Sequence, residues 1–343
     1  MFPHEHGDME IVLKLHSFIL NLSFTTLKAG SIELLTSTLL SKIYIFLISF
    51  NRSRLIIMNI VYQGVVLALI AATLWSINAP LIKRYSGGIS SIAFNAIRAI
   101  TATPILLMII LISKVNVKVI PSGIPFIIAS SIIGPGIGDI AYIASIRRIG
   151  AGRAITVGYT YVFISQILAA LLLGEKLTVK LVAGTLLSIL GIYLIFIENS
   201  GGGIRFRSSI ISLIPVFAWG IGSVVNKLAL HYTDPISLGF IRVLILSLLL
   251  TSITRREFIR GIRVKRILLS AIITGFTGYG VGIPLFLYAI SMSGVSISVL
   301  VTTLTPVLGR ILSMVVAGER INIKGFIGTL TVILGIIIGT YQF

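Results

Sequence analysis

From residue 61 onward the chain alternates runs of about 20 apolar residues with short polar gaps, each run long enough to cross a hydrocarbon core of roughly 30 Å as a helix rising 1.5 Å per residue. The runs predict membrane-spanning helices at 61–82, 92–112, 123–146, 154–173 and 179–197, then at 209–229, 236–253, 266–290, 296–317 and 324–341. Between the two groups lies Glu198-Asn-Ser-Gly-Gly-Gly203, a polar, glycine-rich stretch that reads as a linker. Residues 1–57 differ in texture, with Glu33 and Lys42 interrupting their apolar stretches. They are read as an appendage. The alternatives are a start site placed upstream of Met58, an amphipathic helix on the membrane surface, or an eleventh span at 32–50.

The two groups are copies of one another. Trp219 follows Trp75 by 144 residues, and the same offset carries Lys83 to Lys227, Arg98 to Arg242, and the string Gly134-Pro-Gly-Ile-Gly-Asp139 to Gly278-Tyr-Gly-Val-Gly-Ile283. The 18 aligned pairs that begin at Gly174 and end at Gly191 hold nine identities, far above the one or two that chance gives in so apolar a chain. The division is therefore an appendage at 1–57 and repeats at 58–200 and 201–343. Five spans is an odd number, so the second copy starts on the other side of the membrane. The expected fold is an all-α integral membrane protein of ten transmembrane helices, arranged as two inverted five-helix repeats. That architecture places a solute site at the repeat interface near the midplane.

Composition narrows the function classes. The chain is 56% hydrophobic and 11% charged, with a mean hydropathy of +1.07, outside the range of soluble domains. Its net charge of +18 lies mostly in the gaps between runs, where anionic lipid and topology explain it, and nucleic acid is not an expected partner. There is no cysteine, hence no thiolate metal site or nucleophile. No nucleotide-binding loop or His-Glu-x-x-His pair occurs, so no cofactor, metal or catalytic residue is expected.

The polar residues within the spans are the candidates for chemistry. The glycine strings, represented by Gly136 and Gly280, either permit close helix packing or line a cavity, and Pro135 adds a kink. Asp139 is the acidic residue well inside a predicted span. By depth its partners are Arg98 and Arg310, so a structural ion pair competes with a proton-coupling role. Arg242 sits in the opposite half with no acid at its depth; it either snorkels or recognises a carboxylate or phosphate. Trp75, Asn78, Tyr142, Tyr159, Trp219 and Tyr288 complete the candidate cavity set, as aromatic and amide groups suited to a small-molecule substrate. The Gly-Glu turns at Gly174-Glu175 and Gly318-Glu319 read as structural, with Thr178 and Asn322 as caps of the helices that follow.

Each copy has a Trp in its first helix, an Arg in its second, and a Gly-Glu turn before a helix of the form Gly-Thr-Leu-x-x-Ile-Leu-Gly. This pattern, over about residues 61–341, resembles the EamA-type permeases of the drug/metabolite transporter superfamily. Pro306 after Thr305 matches a proline common in that family's ninth helix, where the first copy has Val162. The resemblance implies ten helices around a central cavity and carriage of small metabolites across the cell membrane, often outward. It also implies that both termini of the core are cytoplasmic, whereas the opposite loops carry most of the Lys and Arg, including Arg255, Arg256, Arg260, Arg263 and Arg266. The expected function is that of a secondary transporter. The rivals are a membrane-embedded enzyme and a non-transporting scaffold.

Overall fold

A computed structural model describes residues 59–198, 210–317 and 323–341. The expectations placed on residues 1–57, on the linker, on the turn at 318–322 and on the Arg310 side chain lie outside the described residues. Among these the secondary structure is helical, without strands. In chain order the helices are α1 (Asn59–Tyr85), α2 (Ser91–Ser113), α3 (Pro121–Ile149), α4 (Ala154–Leu173), α5 (Val179–Glu198), α6 (Leu213–Ala229), α7 (Pro235–Ile253), α8 (Arg255–Arg263), α9 (265–293), α10 (295–317) and α11 (Ile323–Thr340). Helices α1 to α4, α7 and the joined stretch Lys265–Gly309 are long and apolar enough to cross a membrane, and shorter apolar helices run over Val179–Leu194, Leu213–Ala229 and Phe326–Thr340.

Local chemistry sets the boundaries. The Ser90 hydroxyl accepts from the Ala93 amide at 3.1 Å to open α2, Asp234 Oδ1 accepts from Ile236 and Ser237 at 3.0 Å to open α7 with Pro235 in its first turn, and Thr178 Oγ1 accepts from Leu181 to open α5. The joined stretch breaks at Gly294, whose φ of 81° only glycine adopts without strain. Its counterpart 144 residues earlier, Gly150, has φ 89° and separates α3 from the helical segment that leads into α4. The Glu175 carboxylate accepts from the Val295 and Ser296 amides at 2.7 and 2.8 Å, satisfying the bare N-terminus of α10, while Lys227 donates to the Ile290 carbonyl at the end of α9.

Two features depart from the expectation of plain helices with loops between them. Residues 255–263, read from sequence as part of a basic gap, form α8, with Gly261 against Ile89 and Ile97 and the Glu257 carboxylate accepting from the Ser90 amide at 2.8 Å. Both glycine strings adopt π-helical turns, at Ile132–Gly138 within α3 and at Phe276–Gly282 within α9. Such wide turns are uncommon and cluster at functional sites.

The two copies pack reciprocally. A Cβ built on Gly184 would collide with the Gly335 carbonyl, and one on Gly191 would lie 2.5 Å from the Gly328 carbonyl; adding or subtracting 144 turns one pair into the other. Trp219 lies against Gly138 and Trp75 against Gly282. Ser165 meets Gly220, and Ser76 meets Gly309. An interface in which residue i touches j and the mate of i touches the mate of j is the mark of two-fold symmetry. Along α5 and α11 one contact number rises as the other falls, so these helices run antiparallel. The outward faces carry Leu111, Leu171, Val179 and Leu248, all exposed, as apolar solvent requires.

Candidate functional site

Between the copies lies a cavity. Its lining comes from both copies: Trp75, Asn78, Arg98, Gly134, Asp139 and Tyr142 from the first, and Trp219, Asn226, Arg242, Gly278, Tyr279 and Phe286 from the second.

Asp139 is the centre of a polar cluster. It stands at the end of the π-helical turn, five residues after Gly134, where an i→i+5 turn returns the chain to the same face. Its Oδ1 accepts from Trp219 Nε1 at 2.8 Å and its Oδ2 lies 3.3 Å from Arg98 Nη1. The Tyr279 hydroxyl sits 2.7 Å from both Asp139 Oδ2 and Asn95 Oδ1, so its single proton serves one of the two at a time. Arg98 also donates to Asn95 Oδ1 at 3.0 Å and to the Thr274 carbonyl at 3.5 Å, and its guanidinium stacks 4.5 Å from the centre of the Tyr279 ring. Asn95 in turn donates to the Pro135 carbonyl at 2.8 Å, capturing backbone at the kink. Further hydrogen bonds of this kind sustain a buried ion pair, although Arg98 Nε has no partner among the described residues.

An aromatic wall stands beside the cluster. Tyr142, Tyr159 and Tyr161 meet Trp219 edge-on at 4.8, 6.0 and 5.8 Å, and Trp75 meets Phe286 at 5.1 Å. Trp75 Nε1 donates to the Gly278 carbonyl at 3.3 Å, and Asn78 Oδ1 accepts from Thr277 at 2.8 Å. Arg242 is 2% exposed, so it does not snorkel toward the interface. Its Nη2 donates to the Ser130 carbonyl at 3.1 Å, whereas Nε and Nη1 have no partner among the described residues. The Asn226 Oδ1 is likewise without one.

Of the candidates from sequence, Trp75, Asn78, Asp139, Tyr142, Tyr159, Trp219 and Arg242 line the cavity, with Arg98 beside Asp139. Gly136, Gly280 and Tyr288 do not. Gly136 faces Leu246 and the Ser131 carbonyl, and Gly280 faces Ile105. Two residues turn a helix by about half a revolution, so within the two strings Gly134 and Gly278 are the glycines that border the cavity. Tyr288, half-buried, lies further along α9, outside the lining. Sequence reasoning passed over Asn95 and Tyr279. Asn95 had a signal, standing three residues before Arg98 and hence on its face of α2; Tyr279 had none, since its mate is Pro135.

Residues 62–197 and 207–341 each match the sequence model of the EamA-like transporter family. A protein from Archaeoglobus fulgidus described as an uncharacterized transporter is 24% identical over 287 residues, covering 80% of this chain and 96% of the relative. A solved crystal structure with 19% identity superposes with a TM-score of 0.66 over 81% of this chain and 96% of the other, a likeness of fold.

Proposed function

Because the chain belongs to the EamA-like transporter family and is a multi-pass membrane transporter, we propose that it carries a small organic solute across the cell membrane by alternating access, most readily outward. On this reading ten helices cross the bilayer as two inverted repeats, α8 lying at the surface and α9 and α10 counting as two crossings. One observation carries the proposal: a cavity lined by both copies lies where their contacts are reciprocal, the arrangement that lets one set of helices rock against the other about a fixed site. Antiparallel packing of the fifth helices supports the inversion.

The chemistry of the cavity supports binding more than bond-breaking. Its one carboxylate among the lining residues is engaged by Trp219, Tyr279 and Arg98, and no group of three His, Cys, Asp or Glu able to hold a metal exists among the described residues. What remains is an aromatic, partly polar chamber suited to recognition. Uptake of a panel of labelled amino acids, sugars and organic acids into proteoliposomes tests the reading. At least one class is expected to move faster than into protein-free vesicles. Gly134→Leu, which fills the chamber, should abolish that flux at normal membrane insertion, and Gly136→Leu, which points away, should act on stability instead. Flux absent for every class, or indifferent to Gly134→Leu, would refute the proposal.

A further inference from the structure

Arg98 and Arg242 are equivalent residues in the two copies, yet their surroundings differ. Each donates through Nη2 to a backbone carbonyl, Arg98 to Thr274 and Arg242 to Ser130, which are themselves 144 residues apart. Each lies against the glycine that opens the opposite string, Gly278 for Arg98 and Gly134 for Arg242. The backbone cradle is thus shared.

The side-chain partners are not. Arg98 has the carboxylate of Asp139, the amide of Asn95 and the ring of Tyr279. The positions equivalent to these three hold Ile283, Gly239 and Pro135. None of these has a carboxylate, amide or phenol side chain, while the guanidinium of Arg242 is buried. Its Nε and Nη1 have no partner among the described residues, where Arg98 lacks one at Nε alone, and the side chain lines the cavity. A buried cation with unpaired donors is costly, and a guanidinium is built for planar oxyanions.

The charge balance agrees. Among the lining residues the acidic and basic side chains are Arg98, Arg242 and Asp139, counted by formal charge. Arg98 and Asp139 offset each other, so one positive charge is left, on Arg242. Trp75, Tyr142, Trp219 and Phe286 offer apolar faces in the same chamber.

We propose that Arg242 is an anion subsite, and that the solute is a monocarboxylate with an apolar or aromatic body. Its carboxylate completes for Arg242 what Asp139 completes for Arg98. A single residual charge favours a carboxylate over a phosphate dianion. The inference deepens the transporter reading and rests on it for taking the chamber as a solute site.

The chain has two tryptophans, Trp75 and Trp219, and both line the cavity, so intrinsic fluorescence reports occupancy without a label. Purified protein in detergent at low chloride is titrated with phenylacetate, cyclohexylacetate and isovalerate, with the matching amides, and with phenyl phosphate. At least one acid should change the fluorescence saturably and bind roughly 10- to 100-fold more tightly than its amide, the loss expected for a charged hydrogen-bonded pair. Phenyl phosphate should bind more weakly than phenylacetate. Arg242→Gln should bring the acid down to the affinity of the amide and leave the amide unchanged; Arg242→Lys, a point charge without the fork, should keep part of the preference.

The inference falls if none of the acids binds, if acid and amide bind alike, if phenyl phosphate binds more tightly than phenylacetate, or if Arg242→Gln retains the acid preference. Should Arg242→Gln not yield monodisperse protein, the acid-to-amide ratios of the unaltered chain and of Arg242→Lys decide. Flux separates the two readings. Acids that bind with this preference but are never carried refute transport and leave the anion subsite standing. Solutes carried while acid and amide bind alike refute the subsite and leave transport standing.

Discussion

Replacing Asp139 by Asn tests whether the cluster around it is a structural keystone. The carboxylate faces donors on both oxygens, Trp219 Nε1 on one and Tyr279 with Arg98 on the other. An amide has one acceptor and a donor in place of the second, so in either orientation an N–H group confronts another donor. Arg98, 3% exposed, also loses its counter-charge and keeps Asn95, the Thr274 carbonyl and the Tyr279 ring. Removing one member of a buried pair costs about 3–5 kcal/mol. At roughly 2–4 °C per kcal/mol this lowers the apparent melting midpoint by about 6–20 °C. The assay is a thermal melt in detergent followed by tryptophan fluorescence, to which Trp219 contributes directly through its bond to the carboxylate. A double-mutant cycle isolates the pair: Asp139→Leu with Arg98→Met should cost at least about 1 kcal/mol less than the two single changes added together. A midpoint for Asp139→Asn within about 2 °C of the parent, or simple additivity in the cycle, would refute the argument.

Other outcomes follow from the same contacts. Gly335→Ala drives a methyl group into the Gly184 carbonyl and Ser188 and should cost about 1–3 kcal/mol in the same melt, while Gly87→Ala, with nothing within 4 Å of its new methyl among the described residues, should be near neutral. The Ser90 hydrogen bonds hold the Glu257 carboxyl below its ordinary value of 4.5. A depressed carboxylate stabilises above that value and loses its contribution as pH falls through the lowered one, so stability should decline on the acid side and Glu257→Gln should flatten that limb. Topology can be read with an introduced thiol, because the parent has no cysteine. If the charge bias rules, a cysteine replacing Arg260 resists an impermeant reagent in intact cells, and ready labelling there places α8 outside instead.

Much of the architecture was legible because the bilayer imposes length and the duplication imposes register. The apolar runs announced the helices, and the gaps left between runs took in both glycine breaks, Gly150 and Gly294, without singling them out. The conformation of the glycine strings was not legible. A π-helical turn inserts one residue into the ring of each hydrogen bond, and one residue changes helical phase by about 100°. The strings were therefore found, but the wrong glycines within them were assigned to the cavity. Helix α8 was hidden by charge: its many arginines read as a loop, while Phe258 and Ile262, four apart, pack on the core. Depth counting placed Arg98 and Arg242 in opposite halves of the membrane, yet both border one chamber, since a long side chain covers the distance that a residue count leaves between them.

The reciprocal contacts also define a line. Midway between the Gly184–Gly335 and Gly191–Gly328 contacts it crosses the seam of α5 and α11 near Ser188 and its mate Val332. Midway between the Arg98–Gly278 and Arg242–Gly134 contacts it crosses the chamber. Points on a two-fold axis are the ones that stay put when the halves exchange roles. On the alternating-access reading proposed above, a solute held there would have no distance of its own to travel, because the walls would change places around it. On the same reading the glycine seam, where backbones touch, would be the bearing at the far end of that axis, and its stiffness would set how freely the walls turn.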